Sequence, residues 1–219
     1  MPARFAPYQD LAAFLLGAFD AQGADGSHDL SHIVRVWRNA MRIAAAEPAA
    51  DRELIAAAVI LHDCVAVEKS SPLRAQASRL SAAHARQIVA PLGWPASRVD
   101  ALVHAIETHS FSAGLTPDTP EARIVQDADR LDAIGAIGIA RCFHIGGRMS
   151  GGLYHPDDPA AAARPLDDRA YALDHFPAKL FTLAEGFHTA EGRRMAAART
   201  AVMRDFVDTF LGEVGPGEV

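Results

Sequence analysis

A run of apolar residues, Leu54–Leu61, ends directly in His62 and Asp63. The run shows no alternating pattern, and it predicts a buried helix rather than a strand. An imidazole and a carboxylate at the end of such a helix are costly to bury by themselves. A divalent cation would satisfy both, because imidazole nitrogen and carboxylate oxygen are ligands for first-row metals. Taken alone, the doublet also fits a hydrogen-bonded helix end without a metal.

The composition excludes several classes of function. The net charge of −6 argues against binding to a nucleic-acid polymer, which usually requires a basic surface. No apolar stretch approaches the roughly 18 residues of a membrane span, and the N-terminus lacks the pattern of a signal peptide. Two cysteines, Cys64 and Cys142, are too few for a disulfide framework. We therefore expect a cytoplasmic protein with no membrane partner.

Helical signals dominate the chain of 219 residues. Alanine is abundant and runs of β-branched residues are short, so we expect an almost all-α fold. Half of the residues are hydrophobic, which is enough for a sizeable core. Glycines introduce a segment that we expect to be a flexible loop at 146–165. The predicted helices are 8–19, 27–46 (capped by Ser27 or Asp29), 51–63 (capped by Asp51), 72–89, 97–107, 120–135 (which 141–143 continues or ends), 168–183 and 189–211.

Two other predicted helices carry ligand-type residues. His32 falls in the first turn of the helix at 27–46, on the apolar side. Asp129 and Asp132 are three residues apart on the helix at 120–135, so they face the same way and repel each other unless a cation or an arginine lies between them. The alternatives are a histidine bonded to a backbone carbonyl and a surface ion pair with Arg130.

His32, His62, Asp63 and Asp129 together form an ordered pattern in which each member lies on a helix that otherwise looks buried. Four nitrogen and oxygen ligands from three helices would bind one cation and leave positions open for water or substrate. An ion held in this way lowers the pKa of bound water and makes hydroxide available near neutral pH. Such a site is suited to cleaving phosphate esters.

The ordered pattern resembles the HD-domain superfamily of metal-dependent phosphohydrolases, and most closely its YedJ-like branch of small bacterial proteins. The resemblance implies an all-α helical bundle with a metal site between helices. It implies one domain over 1–219, with an HD core at about 24–145 and a C-terminal helical extension at about 165–212. The matching stretches, which span most of the chain, are His28–Val36, Leu61–Cys64, Lys69–Ser78, His109–Ser112, Gln126–Arg141, His175–Leu180 and Thr189–Arg199.

The resemblance also implies roles for individual residues. It assigns the metal ligands to His32, His62, Asp63 and Asp129. Manganese is the expected ion, because carboxylates and open positions suit it, and Mg²⁺, Fe²⁺, Co²⁺, Ni²⁺ and Zn²⁺ remain alternatives. The proton of the attacking water passes to Asp63, Asp132 or Glu68, which the sequence does not separate. The candidate contacts to substrate are His28, Arg35, Lys69, Arg74, His109, Arg130 and Lys179.

The expected substrate is a small phosphorylated molecule, most simply a nucleotide. Some relatives in the branch look like nucleotide pyrophosphohydrolases, which favours release of pyrophosphate from ribo- or deoxynucleoside triphosphates. A 5′-nucleotidase-like phosphatase and a regulatory nucleotide-binding module with little catalysis are the alternatives. A structural bundle with a metal staple would need a closed coordination shell. The HD-GYP signature of cyclic-di-GMP phosphodiesterases is absent from the sequence, which counts against that reaction.

Overall fold

The structure, a computed structural model, describes residues 2–17, 30–67, 71, 73–110 and 113–215. Within these residues the secondary structure is helical without any β-strand, and one isolated bridge joins Gly152 to Tyr171. The all-α prediction is therefore confirmed. In the same part of the chain, no helix combines the length and the apolar character that a membrane span requires. The chain divides into two compact units, residues 1–130 and 131–219.

The first unit is built around the helix that the apolar run predicts. This helix, α3, spans Arg52–Leu61, and every residue from Leu54 to its end is buried. A helix that is apolar on all sides needs neighbours on all sides, and α3 has them. The other helices of this unit are α1 (Gln9–Gly17), α2 (Leu30–Ala44), α4 (Ala77–Val89), α5 (Ala96–Thr108) and α6 (Pro120–Leu131), of which the first four contact α3.

The start of α3 is fixed by Asp51, the residue that the sequence predicts as its cap. The Asp51 carboxylate accepts hydrogen bonds from the backbone N–H groups of Glu53 and Leu54 at 3.1 and 3.0 Å. Arg98 on α5 binds both oxygens of the same carboxylate at 2.9 and 3.0 Å, and its guanidinium lies 4.0 Å from the centre of the Trp94 ring. Burial alone would raise the pKa of Asp51, but Arg98 and the two N–H groups lower it.

The second unit pairs α7 (Gly135–Arg148) with α8 (Ala190–Val214). Phe143 on α7 lies 5.8 and 6.0 Å, between ring centres, from Phe206 and Phe210 on α8. The buried carboxylate of Asp174 accepts both ends of the Arg164 guanidinium at 2.5 and 2.8 Å. The aromatic contacts join α7 to α8, and the ion pair joins two parts of the long segment between these helices.

The helix predicted at 120–135 is wrong at its C-terminal end. It stops at Leu131, and α7 begins separately at Gly135. Gly135 has a φ of +75°, a left-handed conformation that favours glycine, and a Cβ atom there would lie 3.0 Å from the Arg199 side chain. α7 then continues through Gly146 and Gly147 to Arg148, so the predicted loop begins at Met149 rather than at Gly146.

The helix predicted at 168–183 is also wrong. Turns occupy its first part, followed by a π-helix at Phe176–Leu180 and a 3₁₀-helix at Thr182–Gly186. Pro177 lacks the N–H group that a regular helix requires in its interior. The chain instead closes a wider turn in which the Phe181 N–H donates to the Phe176 carbonyl at 3.0 Å. Proline in an otherwise helical pattern was the signal for this change.

We predict that Asp51→Ala lowers the free energy of unfolding by about 1 to 2 kcal/mol, because the cap and its ion pair are both lost. Asp51→Asn should cost less at neutral pH, since its amide oxygen still accepts from Glu53 and Leu54. The measurement is urea unfolding of the three proteins.

The difference between wild type and Asp51→Asn should also depend on pH. Folding lowers the pKa of Asp51, so its ionic contribution is present at neutral pH and is lost as the pH falls through the carboxyl range. Equal losses for the two variants at neutral pH would show that the hydrogen-bond acceptor does not matter.

Candidate metal centre

Two histidines lie at the C-terminal ends of helices in the first unit. His62 follows α3 and His109 follows α5, and each ring bonds to the backbone one turn back. The Nδ1 atom of His62 is 2.8 Å from the Val59 carbonyl, and that of His109 is 2.6 Å from the Ile106 carbonyl. A carbonyl only accepts, so Nδ1 carries the proton on both rings. In the neutral rings each Nε2 atom therefore keeps its lone pair for another partner.

A first group of ligand-type atoms joins three helices. The Nε2 atoms of His32 and His62 are 3.1 Å apart, and Asp129 Oδ1 lies 3.4 Å from the first and 3.8 Å from the second. Ligands held about 2.1 Å from an ion at octahedral or tetrahedral angles are about 3.0 to 3.4 Å apart. The distances of 3.1 and 3.4 Å match this spacing and the distance of 3.8 Å exceeds it, and the inward lone pair of His62 provides a ligand atom for a divalent cation.

A second group shares His62 with the first. Asp63 Oδ2 is 3.5 Å from His62 Nε2, and Asp63 Oδ1 is 3.6 Å from His109 Nε2. Each oxygen of one carboxylate thus faces a different imidazole, and the three residues could hold a metal ion as the first group could. The structure therefore brings together all four residues to which the family resemblance assigns metal binding, and it adds His109.

Burial controls the charge of this cluster. His62 is fully buried, which lowers its pKa to about 4 despite the opposing effects of Asp63 and Asp129. Its ring is therefore neutral near pH 7, the form that binds metals. Burial would also lower the pKa of His109, but the hydrogen bond and negative charge of Asp63 outweigh it and raise that pKa. The side chains of Asp63 and Asp129 are 29% and 26% exposed, so the cluster is open to solvent on their side.

The other predicted residues of the first unit differ in how far they are buried and in whether the structure describes them. Arg35 is half-buried on α2 and donates to the Ser31 hydroxyl at 2.7 Å. Arg130 is buried, which lowers its pKa, and it donates to Gln126 at 3.2 Å. Arg74 lies in a short 3₁₀-helix, Arg74–Gln76. The remaining predictions for this unit, His28, Glu68 and Lys69, lie outside the described residues.

Two predicted residues belong to the second unit. Asp132 is 1% exposed, and its carboxylate is 3.4 Å from the Arg141 guanidinium. Lys179 is exposed in the π-helix. Neither is a member of the two histidine and aspartate groups.

Two buried amides near the cluster were missed by the sequence analysis. Asn39 donates to the Ala128 carbonyl at 3.1 Å, and Gln126 donates to the Thr108 carbonyl at 2.5 Å. Each bond joins two helices that carry members of the cluster. Asn39 interrupts the apolar stripe of α2 seven residues after His32, and this spacing was the available signal.

Comparisons with known proteins agree with this geometry. The model of the HD domain family matches residues 29–134. The uncharacterised protein YpgQ of Bacillus subtilis is 33% identical over 184 residues, which cover 82% of this chain and 81% of YpgQ. The structure of YpgQ in complex with ADP, compared over the whole of both chains, has a TM-score of 0.72 at 27% identity.

Two further solved structures are similar over almost their whole length. A Lactobacillus plantarum protein is 32% identical with a TM-score of 0.68, and a Bacillus thuringiensis HD-superfamily hydrolase is 28% identical with a TM-score of 0.69. Each alignment covers 96% of both chains. HD domains bind divalent metals, and this chain has histidine and aspartate groups that could hold one.

We predict that a divalent ion stabilises the protein through this cluster. At free metal of about 100 times Kd, binding to the native state adds about 2.7 kcal/mol to the free energy of unfolding. His62→Ala should remove most of this gain, because His62 belongs to both groups. His84→Ala, a change to a half-buried histidine of α4, should keep it.

The measurement is denaturant unfolding of metal-stripped protein with and without added Mn²⁺ or Co²⁺. A full metal-dependent gain in the His62→Ala protein would contradict binding at this cluster.

Proposed function

We propose that this chain, which belongs to the HD domain family and is a metal-dependent phosphohydrolase, acts on a nucleotide. One observation carries the proposal: three imidazole Nε2 atoms and two carboxylates converge in the first unit, with the carboxylate side open to solvent. Neutral nitrogen and anionic oxygen donors on one open site suit a metal ion that must also contact a substrate.

We assign the metal ligands to His32, His62, Asp63 and Asp129, with His109 as a further ligand or a contact to substrate. Manganese is our proposed ion, since carboxylates and open coordination positions suit it. A bound divalent ion supplies Lewis acidity, which lowers the pKa of water and offsets negative charge on phosphoryl oxygens.

The side chains around the ion have separate tasks. The bonds of His62 and His109 to backbone carbonyls hold both rings in one tautomer with Nε2 turned inward. Asp63 lies between these rings, and its partial exposure lets it receive a proton from water. We place that role on Asp63 or Glu68 rather than on Asp132, whose carboxylate is buried and faces Arg141.

A nucleotide is the substrate class that the comparisons support best. YpgQ, 33% identical to this chain, was crystallised with ADP. We propose that a nucleoside or deoxynucleoside triphosphate is cleaved at the α-phosphorus, so that water and the triphosphate give a monophosphate and pyrophosphate. Arg35, Lys69, Arg74 and Arg130, with His28, are the proposed contacts to the phosphates.

We predict that metal-stripped protein is inactive and that added Mn²⁺ restores hydrolysis of a nucleotide panel. The panel contains ribo- and deoxynucleoside mono- and triphosphates, and the products are separated by ion-exchange chromatography. Pyrophosphate with monophosphate would support the pyrophosphohydrolase. Inorganic phosphate from monophosphates alone would identify a 5′-nucleotidase-like phosphatase instead.

Two matched variants test the site. Asp63→Asn should reduce kcat/KM by at least about 100-fold, because it removes an anionic ligand without changing the size of the side chain. Asp100→Asn, the same change at a carboxylate that is 63% exposed and paired with Arg86, should be fully active. Full activity of Asp63→Asn would overturn the assignment, and nucleotide binding without any product would favour a regulatory module.

A further inference from the structure

Asn39 and Gln126 have buried side-chain amides that each form a hydrogen bond to a neighbouring helix. Asn39 on α2 is 5% exposed and Gln126 on α6 is 3% exposed. Each donates to a backbone carbonyl on a different helix, at Ala128 and Thr108 respectively. Neither residue is a histidine or a carboxylate, the residue types that form the cluster.

Asn39 anchors α2 to the last turn of α6. The carbonyl that it binds belongs to Ala128, the residue directly before Asp129. His32 lies seven residues before Asn39, about 10 Å along the same face of α2. The two helices are thus joined at two points, one at the cluster and one two turns away. A second point of attachment restrains the rotation of α2 relative to the backbone that carries Asp129.

Gln126 makes the corresponding link between α6 and α5. Its Nε2 atom donates to the carbonyl of Thr108, the residue directly before His109, and its Oε1 atom accepts from Arg130. Arginine only donates and a carbonyl only accepts, so the amide has a single orientation that satisfies both. The two hydrogen bonds therefore determine which end of the Gln126 amide faces Thr108 and which faces Arg130.

We infer that Asn39 and Gln126 are positioning residues that set the spacing of His32, Asp129 and His109 for the metal ion. The inference rests on the proposed metal site. Each amide bonds to the backbone carbonyl of the residue before a cluster residue. Removing an amide therefore loosens the backbone that carries a ligand and leaves the ligand itself in place. Partners that hydrogen-bond directly to a ligand typically change metal affinity by 10- to 100-fold when they are lost, and we expect at least the lower end of that range for these amides, which act through the backbone.

The test is metal affinity in two variants of similar side-chain size, Asn39→Leu and Gln126→Met. We expect Kd for Mn²⁺ or Co²⁺, measured by calorimetry on the metal-stripped chain, to rise at least about 10-fold in each. The absorption spectrum of the Co²⁺ form should also change, because the ligand geometry differs. Asn39→Ala serves in place of Asn39→Leu if the larger side chain prevents folding.

Two reference proteins separate positioning from a general loss of stability. Asp51→Ala, which weakens the start of α3 without touching either amide bond, should bind metal with the wild-type Kd. His62→Ala should lose binding. Wild-type Kd in both amide variants, alongside loss in His62→Ala, would overturn the positioning role alone. Failure of the wild-type chain to bind metal would overturn the proposed function, and this inference with it.

Discussion

The geometry of the cluster depends on a hydrogen bond that occurs twice, from a histidine Nδ1 atom to the carbonyl three residues earlier. At His62 and at His109 this bond lies at the end of a helix and fixes the ring against it. The bond gives a carbonyl of the last helical turn a side-chain partner, and the Ile106 carbonyl also accepts from the His109 backbone N–H. It also decides which nitrogen faces the cluster. The same hydrogen bond therefore lies at the end of the helix and turns a ligand atom toward the cluster.

The cluster places imidazole nitrogens in the buried interior, where polar atoms are costly unless they have a partner. His32 and His62 are buried, and their Nε2 atoms face each other at 3.1 Å. Without a cation, one of these nitrogens must carry a proton or the lone pairs repel. The apolar helix α3 makes this arrangement possible, because its burial holds the backbone of His62 in place. The buried helix α3 thus holds the His62 nitrogen in a position that favours metal binding.

The sequence was most informative where a single helix determined the outcome. The apolar run before His62, the Asp51 cap and the all-α class could be predicted, since each depends on local pattern. The break between α6 and α7 was missed, because it depends on the backbone of Gly135 and on the close approach of Arg199 from a distant part of the chain. The amide of Asn39 was missed for the same reason: its carbonyl partner is 89 residues away.

His62 belongs to both groups of ligand-type residues, and this limits how two metal ions could bind. Its Nδ1 atom is committed to Val59, and its Nε2 atom has a single lone pair. Two ions cannot both take that nitrogen, so a second ion would have to rely on Asp63, His109 and water. Filling one position then weakens the other, and thermodynamic reciprocity requires the penalty to be equal in both directions. A titration with metal should accordingly show one tight step, with any second step made weaker by competition for a shared imidazole.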